Sequence, residues 1–146
     1  MSTTTVAQAW FIAGTIPFIF AGALHALYGL IDTARPTYFV PRDRSVKPAL
    51  EGTHIRFGGA SAPSMWRAWL GFNISHGLGV FTLGLLCLLI AIHDSKLVED
   101  IYGIRPLTIA FSAAYLALSL RFWFYGPAII TGVATAWFIV AAVLSV

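Results

Sequence analysis

The chain has 146 residues, 58% hydrophobic and 10% charged, with nine Lys/Arg against six Asp/Glu and a formal net charge of +3. Its mean hydropathy is +0.81, whereas an average soluble domain is about a quarter charged and under half apolar. So few charges cannot cover the surface of a water-soluble globule, and the high hydrophobicity excludes disorder. The solvent for most of this chain is lipid.

Charges punctuate the sequence and leave long clean intervals. Nothing from Met1 to Ile31 is charged, and its core, Ala9 to Ile31, is long enough to cross a bilayer. Ala68 to Ile92 and Phe122 to Val146 are also uncharged, and each exceeds the ~20 residues that a span requires. A shorter interval, Pro106 to Leu120, stops at Arg121. It spans if the guanidinium extends toward the interface and the helix runs on to Tyr125. The first interval lacks the basic start and the cleavage site of a signal peptide, so it is expected to be retained. Continuous rather than alternating apolar runs rule out a transmembrane β-barrel. The expected fold is a single all-α transmembrane domain, an antiparallel bundle of four helices over about 9–31, 67–92, 106–124 and 127–146. A cytoplasmic loop, 32–65, joins the first two.

Orientation follows from the basic residues. Arg35, Arg42, Arg44, Lys47, Arg56, Arg67 and Arg121 fall on one side, and only Lys96 and Arg105 on the other. The positive-inside rule places the loop in the cytoplasm and both termini outside. The net charge therefore concerns topology and anionic headgroups, not nucleic acid, for which no motif is present. The single cysteine, Cys87, is expected to be inert packing in the second span.

Polar residues inside a span are costly and need a reason. His25, Tyr28 or Gly29, and Asp32 share one face of the first helix; Trp69, Asn73 and His76 form a stripe on the second. At 1.5 Å per residue, His25 lies about 10 Å from Asp32 and His76 about 13 Å from Arg67. The two imidazoles thus reach similar depth in the cytoplasmic half, to which Arg121 also belongs. One polar pocket under the loop is the natural inference.

Three readings of this cluster compete. The default is structural: His76 bonds to Asn73 or a carbonyl, Arg121 pairs with Asp32, and the bundle is locked. In the second, His25 and His76 are axial ligands of a haem, or one holds a chlorophyll magnesium or serves a quinone redox site. In the third, the pocket binds or modifies a lipid or other small molecule, with a histidine as base and Asp32 and Arg121 orienting a polar head. No nucleophile partner, paired acidic motif, metal-type spacing or phosphate-cradling loop appears, so the balance lies against an enzyme.

Small residues recur every four positions at Gly71, Ser75 and Gly79, and again at Ala128, Gly132 and Ala136, ridges that allow close helix approach in lipid. Within the loop, Arg35-Pro36 is expected to end the first helix. Tyr38 to Arg44 mixes aromatic and basic residues and suits a cover at headgroup level. Val46 to His54 is expected to hold a short interfacial helix starting near Pro48, and Gly58 to Ser64 reads as a flexible linker.

Phe39-Val40-Pro41-Arg42-Asp43, followed by Met65-Trp66-Arg67-Ala68-Trp69-Leu70-Gly71-Phe72-Asn73-Ile74-Ser75-His76-Gly77-Leu78-Gly79, resembles a group of small uncharacterised bacterial four-helix integral membrane proteins. The likeness covers the loop and second helix, with the first helix similar around His25. It implies a bacterial inner-membrane location and brings no activity with it. Small size and little extramembrane mass then favour a non-enzymatic accessory or assembly subunit, whose partners are lipids and other subunits or further copies.

Overall fold

The computed structural model describes residues 3–145. It is all-helical, with 81% of residues in helix and no strands among those described. The elements are α1 (Thr3–Ala34), α2 (Val46–Gly52), α3 (Met65–His93), α4 (Ser95–Asp100), α5 (Ile104–Phe122) and α6 (Tyr125–Leu144), with a 3-10 turn at Gly59–Ser61. Three helices are long and apolar enough to cross a membrane: Thr5–Ala34, Met65–His93 and Tyr125–Leu144. The 19-residue α5, with Arg105 and Arg121 near its ends, is not among them.

Helix ends follow local chemistry. α1 runs three residues past Ile31 and stops at Ala34, just before Arg35-Pro36, where proline disfavours helical backbone in the residue before it. Pro17 lies within α1 without ending it. α2 begins at Val46, two residues earlier than expected, so Pro48 sits in its first turn. An unexpected helix, α4, starts where the Asp94 carboxylate accepts from Lys96 N at 3.0 Å. The expected end of the last span, Val146, lies outside the described residues.

The chain divides into two compact units, Met1–Ala21 with Val80–Val146, and Gly22–Gly79. In the first unit the core gathers Phe11, Phe18, Val80, Cys87, Ala91, Val98, Ala134, Phe138 and Ala141. Lipid is as apolar as these side chains, so fit rather than water exclusion holds them. Phe18 meets Phe111 and Tyr115 edge-on at 5.6 and 6.2 Å, and Phe11 meets Phe138 at 5.3 Å. Backbones approach closely at Gly84, where an added Cβ would stand 3.0 Å from Ile19 N. α5 and α6 form a hairpin through Trp123 and Phe124, with Gly132 facing Leu116.

The second unit holds the C-terminal part of α1, the N-terminal part of α3 and the segment between them. Here Gly77 sets the approach: a Cβ would meet Ala26 N at 2.4 Å and Gly22 O at 2.9 Å. Gly58 to Ser64, expected to be a flexible linker, is instead folded. Ile55 N donates to Pro63 O (3.1 Å) and Met65 N to Thr53 O (2.7 Å), bracketing a tight turn. Gly58 and Gly59 hold φ of +115° and +62°, values glycine adopts without strain, so the two glycines specify the turn rather than loosen it.

Candidate functional site

The polar residues singled out in α1 and α3 come together in the second unit; Arg121, on α5, belongs to the first. Asn73 is fully buried. Its Nδ2 donates to Trp69 O at 2.8 Å, one turn back along α3. Its Oδ1 lies 3.0 Å from His25 Nε2, and since Oδ1 only accepts, the proton is on Nε2. The His25 ring meets His76 edge-on at 5.2 Å and lies 4.7 Å from the Phe39 ring. His76 stacks on Phe72, one turn away, at 5.8 Å.

The loop closes this arrangement into a circuit. Trp69 Nε1 donates to Phe39 O at 3.0 Å, so Phe39 touches α3 through its carbonyl and α1 through its ring. The backbone of this corner is held by Asp32, which is fully buried. Its carboxylate accepts from the amides of Thr37 (2.7 Å), Tyr38 (2.9 Å) and Phe39 (2.6 Å). Three backbone N–H groups on one carboxylate are charge-assisted bonds of the stronger kind. Tyr38 then stacks on Tyr28 at 4.1 Å with the planes 13° apart.

The oxygens of Asp32 serve the loop amides. Arg121 is exposed and stands 5.2 Å over the Phe122 ring. The Asn73 side chain is thus joined to α1 through His25.

A haem between two axial imidazoles needs its two nitrogens about 4 Å apart across the macrocycle, twice a metal–imidazole bond. Here the His25 and His76 rings touch each other, and Asn73 takes the Nε2 that would face iron. The pair as placed does not fit a tetrapyrrole between its rings. No group of three or more His, Cys, Asp or Glu able to hold a metal ion occurs among the described residues. Every buried side-chain nitrogen and oxygen among them has a hydrogen-bond partner. The hydrogen bonds of the cluster tie the loop to α1 and α3.

Away from this cluster, a cavity of about 20 Å³ in the first unit is lined by Gln8, Glu99, Arg105 and Ser145 among others. It has room for one water.

The functional residues that sequence reasoning missed are Phe39, whose role comes from its carbonyl and ring, and Gly77. A signal for Gly77 was present, since it lies seven residues before Gly84 on the same helical face, where both glycines mark close approach. Comparison with known family models, curated proteins and solved structures yields no match.

Proposed function

We propose that the protein is a non-enzymatic accessory or assembly subunit of a bacterial inner-membrane complex, joined to its neighbour through α3. One observation carries this reading. Gly71, Ser75 and Gly79 form an exposed ridge, and a Cβ added at either glycine would meet nothing within 4 Å. The helix uses Gly77, on another face, for its own packing. In lipid, close backbone approach between small residues is a principal source of helix association. A bare three-residue ridge is thus a surface suited to a further helix, in a second copy or another subunit.

The reading includes four crossings as an antiparallel bundle. α5 packs along α6, and at ~1.5 Å per residue its 19 residues reach about 28 Å, close to the ~30 Å hydrocarbon thickness. Its terminal arginines extend to the two interfaces. The termini are then periplasmic and the loop cytoplasmic.

Cross-linking in native membranes tests the subunit reading. Ser75→Cys in a Cys87→Ala background is expected to give a defined oxidative homodimer, or an adduct with one partner. Gly71→Leu with Gly79→Leu should abolish it. A monodisperse monomer in mild detergent, with no cross-link in membranes, overturns the proposal. Reporter fusions at residue 145 and near Lys47 test topology, and a cytoplasmic signal at both would refute four crossings.

A further inference from the structure

The geometry points to a binding surface for anionic phospholipid headgroups on the segment between α1 and α3, with Phe57 as its apolar anchor. Within the second unit, Lys and Arg number six against three Asp and Glu; in the first unit they number three against three. The entire net charge of the chain thus resides in the second unit.

The three acids there are already occupied. Asp32 is buried under three amides, Asp43 Oδ1 accepts from Ser45 N and Oγ, and Glu51 pairs with Lys47. Lys47 in turn lies over Trp66. Arg35, Arg42, Arg44, Arg56 and Arg67 remain exposed. All five are arginines, whose planar fork matches phosphate oxygens two at a time.

Their level relative to the bilayer follows from the helices. Arg35 directly follows α1 and Arg67 lies in the first turn of α3, so both stand where an apolar span begins or ends. The base of the folded turn is fixed there too, because Met65 N is bonded to Thr53 O. Phe57, four residues from Thr53, is within about 13 Å of that bond. It is 91% exposed, beside Arg56, on a turn whose backbone is hydrogen-bonded on both sides. A phenylalanine held outward by an ordered turn is costly in water, and favourable if it enters the acyl boundary while arginines take the phosphates. Opposite charge selects an anionic lipid over a zwitterionic one.

A nitroxide on Ala60→Cys, in a Cys87→Ala background, reports the depth of the turn while leaving Phe57 in place. The full chain is placed in nanodiscs of phosphatidylcholine alone or mixed with phosphatidylglycerol. In the anionic discs the label should be more accessible to oxygen than to a water-soluble nickel chelate. The order should reverse in phosphatidylcholine alone, and in salt of about 1 M, where screening shortens to ~3 Å. Phe57→Ser should abolish the insertion and Phe57→Trp retain it. Phosphatidylglycerol retained through purification should fall about fivefold for each of Arg56→Gln and Arg67→Gln. A water-exposed label in anionic discs overturns the proposal. So does equal burial in both lipids, which would show that charge is not recognised. Broadening from label–label contact would place a second copy on this surface and overturn it as well.

Discussion

Two glycines six residues apart on α3 offer a direct measure of which face of that helix is packed. At Gly77 an added Cβ would stand 2.4 Å from Ala26 N, 2.9 Å from Ala26 Cα and 2.9 Å from Gly22 O. All three are backbone atoms of α1, so no rotamer change relieves the clash and the helices must separate. At Gly71 the same Cβ meets nothing within 4 Å. Both substitutions gain the same intrinsic helix propensity, about 1 kcal/mol from Gly to Ala, which cancels when the two variants are compared. What remains is the overpacking cost at residue 77, about 1–3 kcal/mol or more. Gly77→Ala should therefore be less stable than Gly71→Ala by that amount, with Gly71→Ala at or above the unaltered protein. Reversible unfolding in mixed micelles of dodecyl sulfate and a mild detergent, followed by circular dichroism, reads the difference. Equal stabilities would refute the packing of α3 on α1 through Gly77. A Gly71→Ala variant that is destabilised as a monomer would refute the bare ridge.

Asp32→Ala removes the acceptor of three loop amides and should cost at least about 2 kcal/mol. The first visible consequence should be tryptic cleavage at Arg42 and Arg44 under conditions that leave the parent intact. Asn73→Ala removes the side chain that joins His25 Nε2 to α3, at a cost of about 1 kcal/mol. Proton exchange at the His25 ring and the Trp69 indole, followed by NMR, should accelerate together, since the two groups belong to one circuit. The Asp43 carboxyl is held below its ordinary value by the hydroxyl of Ser45 and then by its amide. A lowered folded pKa means that this contribution is present in full above the unfolded value, about 3.9. It is lost as pH falls through the folded one. Protease sensitivity near Asp43 should accordingly rise only in that acid range, and Asp43→Asn should remove the step.

Three apolar helices were legible because charge is excluded from lipid, so the placement of fifteen charged residues nearly dictates where they run. The stripes were legible as well: His25 with Asp32, and Trp69 with Asn73 and His76, share faces by simple periodicity, and the structure brings these residues into one unit. What periodicity does not contain is the path of the loop. Asp32 looks like half of an ion pair when only side chains are counted, because its true partners are the backbone amides of residues 37–39, which every sequence has. Phe39 acts through a carbonyl and is invisible for the same reason. A small-residue repeat states that helices can approach, not which face they use. Gly71, Ser75 and Gly79 gave the more regular pattern, yet Gly77 makes the contact. In Gly58-Gly59, composition suggests slack where positive φ makes glycine a requirement of one particular turn.

The two histidines show how a membrane-buried polar cluster should be weighed. Matched depth on neighbouring spans is equally compatible with a cofactor between them and with direct contact, and only the distance decides. At 5.2 Å, edge to face, the imidazoles serve as partners for each other and for Phe39 and Phe72. The hydrogen bonds of the cluster tie the loop to both helices: loop amides donate to Asp32 on α1, Trp69 on α3 donates to the Phe39 carbonyl, and Asn73 joins α3 to His25. Spending so many polar groups on one corner is reasonable only if the position of that corner matters. It fixes the path by which the chain leaves α1 for the segment bearing four exposed arginines and Phe57. On the reading proposed above, the buried cluster orients the headgroup surface at the edge of the membrane. Chemistry confined to the cluster would leave the exposed ridge and the arginines unexplained, whereas a subunit that docks through α3 and grips headgroups through its loop uses all three.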